Sequence, residues 1–256
     1  MGGRGGGSTS KATVNFDISV HALTPSVSRA QALNDANFTD DDSSSFHNLY
    51  KGKQYFLTQA MAIDTQMAIY DYLHNQSVYD PTTGSALYSP SQSLNNALRQ
   101  KLPLTANQKA MVKGLDEGMH NLGYNVTLIR YDRVGFLQQF GISPTLLKNT
   151  PANDAKIKQL LAGARYTDKA FVSVSYNDFK NAPSQNSFTD KAVRIVIDAP
   201  AKTKALMPGD GPGGKLGEMI LGRNQTFRVK SIRFTGQQGR SGSSTYDQVE
   251  VHVEVE

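Results

Sequence analysis

The spacing of apolar residues changes once along this chain, and this change limits the folds that the chain can adopt. Between residues 46 and 122, apolar side chains recur every three or four positions, which places them on one face of a helix. From residue 123 onward, apolar residues form short runs or alternate with polar ones, as they do in strands. Helices followed by strands predict an α+β fold rather than repeated βαβ units.

The helical half has recognisable segment ends. One apolar stripe extends from Phe46 to Leu73, and a short helix is predicted from Leu94 to Leu98. Thr105 and Gln108 form a capping-box signature, and the apolar stripe after them predicts a helix as far as Leu122. The glycine that follows is expected to end this helix.

The second half combines one short helix, Asn153 to Leu161, with several strands. The last strand is the clearest, because valines from Val249 to Val255 alternate with polar residues. This alternation predicts a sheet with one packed and one solvated face. The predicted strands are Val126–Arg130, Phe171–Ser175, Val193–Ile197, Met219–Leu221, Phe227–Phe234 and Gln248–Val255.

Composition excludes several classes of function. The 256 residues include no cysteine, so disulfides, Cys-ligated metals and thiol nucleophiles are excluded. The five histidines are scattered, and no serine lies in a G-x-S-x-G elbow. The net charge of +5 is spread along the chain, without the concentrated basic face of a nucleic-acid binder. No run of eighteen apolar residues and no basic start before an apolar stretch is present, so neither a membrane partner nor a signal peptide is predicted.

A glycine-rich run lies within the strand half. Gly209, Gly211 and Gly214 fit the pattern G-x-G-x-x-G, but a dinucleotide fingerprint needs a strand before it and a helix within it. Pro208 and Pro212 flank and interrupt the run, and a strand follows. We therefore interpret the run as a mobile loop.

Three short stretches of the strand half carry residues suited to chemistry. Arg130 ends an apolar strand, where a guanidinium can bind phosphate through two parallel hydrogen bonds. In the strand that begins with Phe171, alternation places Ser173 and Ser175 on the same face as the aromatic ring. Glu218 lies between the glycine-rich loop and an apolar strand, where a carboxylate can face a developing cation. Taken singly, each stretch also fits an ordinary structural role.

Together and in this order, the three stretches resemble the mono-ADP-ribosyltransferases of the Arg–Ser–Glu group, of the bacterial toxin and phage-encoded type. The resemblance extends over residues 46–256. Within it, Ala68–Tyr72 and Leu94–Arg99 are similar to the segment before the arginine strand in bacterial and phage members. The resemblance implies an ADP-ribosyltransferase fold, in which a helical lobe packs on a split mixed or antiparallel β-sandwich.

The resemblance also implies a domain organisation. Residues 46–122 are expected to form the helical lobe, and residues 123–256 the β core with the NAD cleft. Residues 1–45 precede them as a flexible or partly ordered arm, which opens with MGGRGGG. This opening looks like phage-encoded versions, some of which accompany head proteins. The expected location is the cytoplasm of the producing or infected bacterial cell, or the virion.

The resemblance assigns roles to the first candidate residues. Arg130 matches the arginine that binds the NAD diphosphate and the adjoining ribose, with Arg133 as the alternative. Ser173 and Ser175 match the first and third residues of the family's Ser-Thr-Ser motif, and Val174 replaces the threonine.

The remaining roles follow in the same way. Phe188 takes the place of the aromatic residue that stacks on nicotinamide, with Phe179 as the alternative, and Lys191 that of a basic residue on the phosphates. Glu218 matches the catalytic glutamate. Breaking the nicotinamide–ribose bond generates an oxocarbenium-like centre, which a nearby carboxylate stabilises. NAD is the expected substrate, and no metal is implied.

One departure concerns the acceptor of ADP-ribose. Arginine-directed members carry Glu or Gln two residues before the catalytic glutamate, where this chain has Leu216. A leucine cannot orient or deprotonate a guanidinium. The sequence therefore predicts an NAD-dependent mono-ADP-ribosyltransferase whose protein or nucleic-acid acceptor is unidentified. The alternatives are an NAD glycohydrolase that uses water, and an inactive module with a phage structural or partner-binding role.

Overall fold

The computed structural model describes residues 67–69, 71–72, 78–79, 86–123, 125–175, 190–206 and 218–256, with the backbone alone for 78–79 and 86–88. The predicted arm 1–45, most of the predicted stripe from Phe46 to Leu73, and the glycine-rich run lie outside these residues. Residues 67–69 and 71–72 are helical, as the stripe predicts. No helix in the described ranges is long and apolar enough to cross a membrane.

The helices begin where side chains can satisfy free backbone N–H groups. Ser89, Thr105 and Thr150 each accept a hydrogen bond from the backbone N–H three residues further on. The capping box of Thr105 and Gln108 is present with both of its hydrogen bonds, which confirms the prediction. The helices are α1 (Pro90–Gln100), α2 (Ala106–Gly118), α3 (Gly135–Gln138) and α4 (Pro151–Leu161), with a 3-10 turn at Pro144–Leu146.

The predicted end of helix α2, at Leu122, is wrong by four residues. Helix α2 ends at Gly118, and the next residues form a short strand instead. The reason is tertiary, because the backbone N–H of Leu122 donates to the Thr203 carbonyl oxygen at 2.9 Å rather than to a helical carbonyl. Gly123 does adopt a left-handed conformation (φ +80°), but in the turn after this strand.

Nine strands of the described chain form one mixed sheet. They are β3 (His120–Asn121), β4 (Val126–Asp132), β5 (Arg165–Asp168), β6 (Val172–Ser175), β7 (Val193–Ala199), β8 (Lys204–Leu206), β9 (Glu218–Leu221), β10 (Gln225–Ser241) and β11 (Ser244–Val255). Their order in the sheet is β3-β8-β9-β6-β4-β7-β11-β10-β5, and every pair is antiparallel except β7 with β11. A separate two-stranded sheet joins β1 (Val78–Tyr79) and β2 (Ala86–Tyr88).

The large sheet is nearly divided between β4 and β6. These two strands share a single register pair, Ile129 with Ser175, whereas β4 pairs with β7 over its whole length. The strands on either side of this point therefore form two groups. Both groups contribute side chains to one apolar core, for example Val174 from one and Val251 from the other. The predicted α+β fold with a split, mixed sheet is confirmed.

Two apolar cores lie on opposite sides of β6. The larger core, which also includes residues of α3 and α4, receives Val172 and Val174. The smaller core lies between β6, β9 and the helices, and it includes Tyr72, Leu115 and Phe171. Strand alternation therefore turns Ser173 and Ser175, which share the face of Phe171, toward the helices.

Gly239 lies where β10 passes close to the two residues that precede β7 in the sequence. A Cβ atom at this position would lie 2.6 Å from the Ala192 Cα and in contact with the Lys191 carbonyl oxygen. Because backbone atoms cannot move aside as a side chain does, we expect Gly239→Ala to lower the free energy of unfolding by about 1–3 kcal/mol. Urea denaturation measures this loss. Gly135→Ala is the matched control, since its nearest atom is 4.0 Å away, and equal stability of the two variants would contradict the close approach.

Candidate active site

Arg130 joins the two groups of strands. Its Nε donates to the Asp132 carboxylate at 2.9 Å, and its Nη1 donates to the Ser173 carbonyl oxygen at 2.7 Å. Burial disfavours the charged form, but Asp132 more than offsets this, so the pKa of Arg130 lies above its ordinary value. A permanent positive charge is therefore held at the point where β4 and β6 separate.

Strand β4 extends two residues beyond its predicted end, and this extension places Asp132 beside Arg130. Asp132 was not among the predicted site residues. Arg133, the alternative arginine, is exposed, and its backbone N–H donates to Asp132 at 2.8 Å. Of the two arginines, Arg130 is the one whose guanidinium contacts the serine strand.

The serine strand β6 lies against the predicted catalytic strand β9. Ser175 is the register partner of Glu218, and Ser173 is that of Ile220, two residues further along β9. Val174 is 4% exposed and faces the larger core. The position where the family has threonine therefore lies on the opposite side of β6 from the two serines.

Glu218 is the first residue of β9 and is only partly accessible to solvent. Burial raises its pKa above the ordinary value of 4.5, and the hydrogen bond with Ser173 lowers it in part. A carboxylate in such a poorly solvated place interacts more strongly with a nearby positive charge than one in water. The arrangement suits a group that stabilises a developing cation.

Two residues from the helices complete this cluster, and neither was predicted to belong to it. Tyr72 is 2% exposed, and its hydroxyl accepts a hydrogen bond from Nδ2 of Asn95 at 2.9 Å. Burial raises the pKa of Tyr72. Both residues lie in the segments that resemble the family. The signal in the sequence is that Tyr72 lies within the predicted apolar stripe. A tyrosine there is expected to be buried, and a buried phenol needs a hydrogen-bond partner.

The helices are fastened to the sheet by two paired arginines. Arg99 of α1 donates from two nitrogens to the Asp168 carboxylate, each at 3.0 Å. Arg223, after β9, donates to the Asp116 carboxylate of α2 at 2.7 and 3.0 Å. Such two-point pairs are more specific in geometry than single surface ion pairs. They fix α1, which carries Asn95, and α2 against the sheet.

Lys191 has a different set of neighbours. Its ammonium contacts the Asp190 carboxylate at 2.7 Å, and its backbone forms an isolated bridge with Arg240 of β10. Lys191 thus lies two residues before β7 and beside the carboxyl-terminal end of β10. The predicted contact of Lys191 with phosphate stays a prediction.

The structure therefore brings four predicted site residues together, namely Arg130, Ser173, Ser175 and Glu218. Phe188, its alternative Phe179, and Leu216 lie outside the described residues. Within the described ranges, no group of three or more His, Asp or Glu side chains is arranged to hold a metal ion.

The family is shown by a sequence match. The ADP-ribosyltransferase exoenzyme family matches residues 82–249, which is more than half of the chain. This protein therefore belongs to the ADP-ribosyltransferase exoenzyme family, a family of NAD⁺ ADP-ribosyltransferases. The matched range contains the four residues that the structure brings together. No curated protein matches the sequence.

Solved structures of bacterial ADP-ribosyltransferases share the fold. An ADP-ribosyltransferase from Clostridium botulinum has 16% identity and a TM-score of 0.59, with 85% of this chain and 98% of that chain covered. Plx2a, a toxin from Paenibacillus larvae, has 18% identity and a TM-score of 0.60 over 82% and 95%. C3stau2 from S. aureus, solved with NAD, has 16% identity and a TM-score of 0.57 over 82% and 94%. The predicted ADP-ribosyltransferase fold is thus confirmed.

Val174→Thr tests which side of β6 the departure from Ser-Thr-Ser occupies. Because the new hydroxyl would lie in an apolar core, we expect a loss of about 1–3 kcal/mol in unfolding free energy and no gain in NAD affinity. Val172→Thr, on the same face and 3% exposed, should cost about as much. Denaturation and calorimetric titration with NAD measure the two quantities. Tighter NAD binding by Val174→Thr at unchanged stability would show that the side chain at position 174 lies on the same face of β6 as the two serines, and not in the larger core.

Proposed function

We propose that this protein is an NAD-dependent mono-ADP-ribosyltransferase, which cleaves the nicotinamide–ribose bond and transfers ADP-ribose to a macromolecule. One observation carries the proposal, namely that Arg130 and Glu218 both lie against the serine strand β6, one from β4 and the other from β9. The carbonyl oxygen of Ser173 accepts from the guanidinium, and Ser175 is the register partner of Glu218. This grouping lies in a chain of the ADP-ribosyltransferase exoenzyme family.

The residue types fit NAD as the substrate. Arg130 uses Nε and one hydrogen of Nη1 for Asp132 and Ser173, which leaves hydrogens on its terminal nitrogens for a phosphate oxygen. The serine hydroxyls are of the kind that bind ribose. In this proposal Arg130 neutralises the diphosphate, while Phe188 stacks on the nicotinamide and Lys191 supports the phosphates.

Glu218 supplies the main catalytic effect in the proposed reaction. As the glycosidic bond to nicotinamide breaks, positive charge develops on C1′ and the ring oxygen of the ribose. The Glu218 carboxylate stabilises this charge electrostatically, and its partial burial strengthens the interaction. Nicotinamide leaves, and the acceptor then forms the new bond at C1′.

Leu216 favours a second candidate function, NAD hydrolysis with water as the acceptor. An apolar side chain two residues before Glu218 cannot orient an arginine acceptor. Incubation with radiolabelled NAD in a host lysate separates the two functions. Label on protein or nucleic acid supports transfer, and label that stays entirely in free ADP-ribose supports hydrolysis.

An inactive module with a virion or partner-binding role is the remaining alternative. Val174 was one of its motives, yet this residue faces the larger core and leaves both serines in place. The phage-related role, which rests on the glycine-rich opening, remains a prediction. The location in a producing or infected bacterial cell remains a prediction too. Calorimetric binding of NAD would argue against the inactive module.

Replacement of Glu218 by glutamine is the direct test of the proposed function. We expect wild-type protein to release nicotinamide from NAD, and Glu218→Gln to do so 10²–10³-fold more slowly, on the order of other electrostatic stabilisers. The affinity for NAD should change little. Because the pKa of Glu218 is raised and the charged form is required, kcat/KM should fall with acidity at a pH above 4.5. If wild type and Glu218→Gln release nicotinamide equally, or not at all, the proposal is wrong.

The two arginines at the end of β4 give a matched pair for NAD binding. Arg130→Lys keeps the charge but loses the geometry that reaches both Asp132 and Ser173, so we expect NAD affinity to fall at least tenfold. Arg133→Lys, at an exposed position, should bind NAD as wild type does. Isothermal calorimetry measures both constants. The reverse pattern would identify Arg133 as the diphosphate ligand.

A further inference from the structure

The end of β4 follows β7 beyond its one register pair with β6. That pair is at Ile129, and Arg130 and Asp132 come after it, each with a register partner on β7. Because side chains alternate along a strand, Arg130 and Asp132 project from the same face of β4. The spacing Arg-x-Asp thus places a carboxylate beside the guanidinium through local geometry.

Both oxygens of the Asp132 carboxylate accept hydrogen bonds. Oδ1 accepts from the backbone N–H of Arg133 at 2.8 Å, and Oδ2 accepts from Nε of Arg130 at 2.9 Å. The first bond ties the carboxylate to the main chain and restricts its rotation. The second bond passes this restraint on to the Arg130 guanidinium.

The guanidinium of Arg130 is held at two points. Besides the bond from Nε to Asp132, Nη1 donates to the Ser173 carbonyl oxygen at 2.7 Å. Bonds from two different nitrogens fix both the plane and the rotation of this planar group. The Arg130 side chain is nevertheless 26% exposed, and its terminal nitrogens keep hydrogens for a further acceptor. Arg130 is therefore oriented before any anion binds.

Asp132 has two opposite effects on the affinity of Arg130 for an anion. Its negative charge repels a diphosphate, which weakens binding. Its hydrogen bond orders the long arginine side chain in advance, which strengthens binding, because a free side chain loses rotational freedom when a ligand fixes it. The sign of the change in affinity when Asp132 is removed shows which effect is larger.

We propose that Asp132 is a positioning residue, which holds the Arg130 guanidinium in the orientation that receives the diphosphate of the substrate. The diphosphate enters this statement through the proposed function, on which it rests. Asp132 itself needs no contact with the substrate for this role. Without Asp132, Arg130 keeps its charge and its bond to Ser173, but the guanidinium can turn about that bond.

The positioning role is tested with Asp132→Ala, which removes both acceptor oxygens. We expect the Kd for NAD to rise about threefold to tenfold, as when one side chain must be ordered on binding, although the variant carries one more positive net charge. Asp154→Ala is the matched control, because it removes an equal charge from an exposed pair with Lys158 on α4 and should bind NAD as wild type does. Isothermal calorimetry measures the constants. Equal or tighter NAD binding by Asp132→Ala would show that Asp132 is only a counter-charge, and would overturn the proposal.

Steady-state kinetics separates positioning from a loss of folded protein. A contact that is equally strong in the ground state and the transition state changes KM and leaves kcat unchanged. We therefore expect Asp132→Ala to raise the KM for NAD about as much as the Kd, with kcat within about twofold. Partial unfolding would instead lower the apparent kcat at constant KM, and this result would contradict the positioning role.

A measurement without NAD separates this proposal from the proposed function. NMR of ¹⁵N-labelled protein gives the rate at which the Arg130 Nε–H proton exchanges with water, and Arg130→Lys assigns the signal. Because a hydrogen-bonded proton exchanges slowly, we expect exchange to be about tenfold faster in Asp132→Ala and unchanged in Asp154→Ala. An unchanged rate in Asp132→Ala overturns the positioning role. If wild-type protein neither binds nor cleaves NAD, the proposed function fails, and the exchange rates still decide whether Asp132 orients Arg130.

Discussion

The bond from the Arg130 guanidinium to the Ser173 carbonyl oxygen holds together a sheet that its own backbone pairing nearly leaves in two parts. Strands β4 and β6 share one register pair, Ile129 with Ser175, and beyond it a side chain takes over the role of the ladder. A guanidinium can span this gap because it is long, planar and rich in donors. Asp132 offsets the cost of burying the charge. Arg130 therefore places a cation at the point where the two groups of strands separate.

Strand alternation on β6 divides structural from chemical roles. Val172 and Val174 fill the core between the two groups of strands, while Ser173 faces the helices. Val174, which the resemblance matches to the family's threonine, therefore lies on the opposite face of β6 from Ser173 and Ser175. Because the serine face meets the helices, the environment of Glu218 depends on the position of the helices, to which the smaller core and the pairs of Arg99 with Asp168 and Arg223 with Asp116 contribute.

Features of the sequence with a local cause were predictable, and features with a tertiary cause were not. The valines of β11 show the alternation of a strand, and Thr105 with Gln108 shows the capping box, because each pattern reflects neighbours along the chain. The short strands β3, β5 and β8 have no alternation to detect and exist through their partners. In the site, Arg130, Ser173, Ser175 and Glu218 follow from a family motif. Tyr72 and Asn95 were not predicted because 23 positions separate them and only packing of the helices brings them together.

The cleavage and transfer halves of the proposed reaction depend on different parts of the chain. Cleavage needs a stabilised carboxylate and a cation for the diphosphate, and in the described structure Glu218 and Arg130 both lie against β6. Transfer needs a group that selects the acceptor, and the departure from arginine-directed members falls there, at Leu216. A leucine at that position removes no charge from the carboxylate and no donor from the serines. In the proposed function, the departure at Leu216 therefore concerns the nucleophile that reaches C1′ and not the breaking of the bond to nicotinamide.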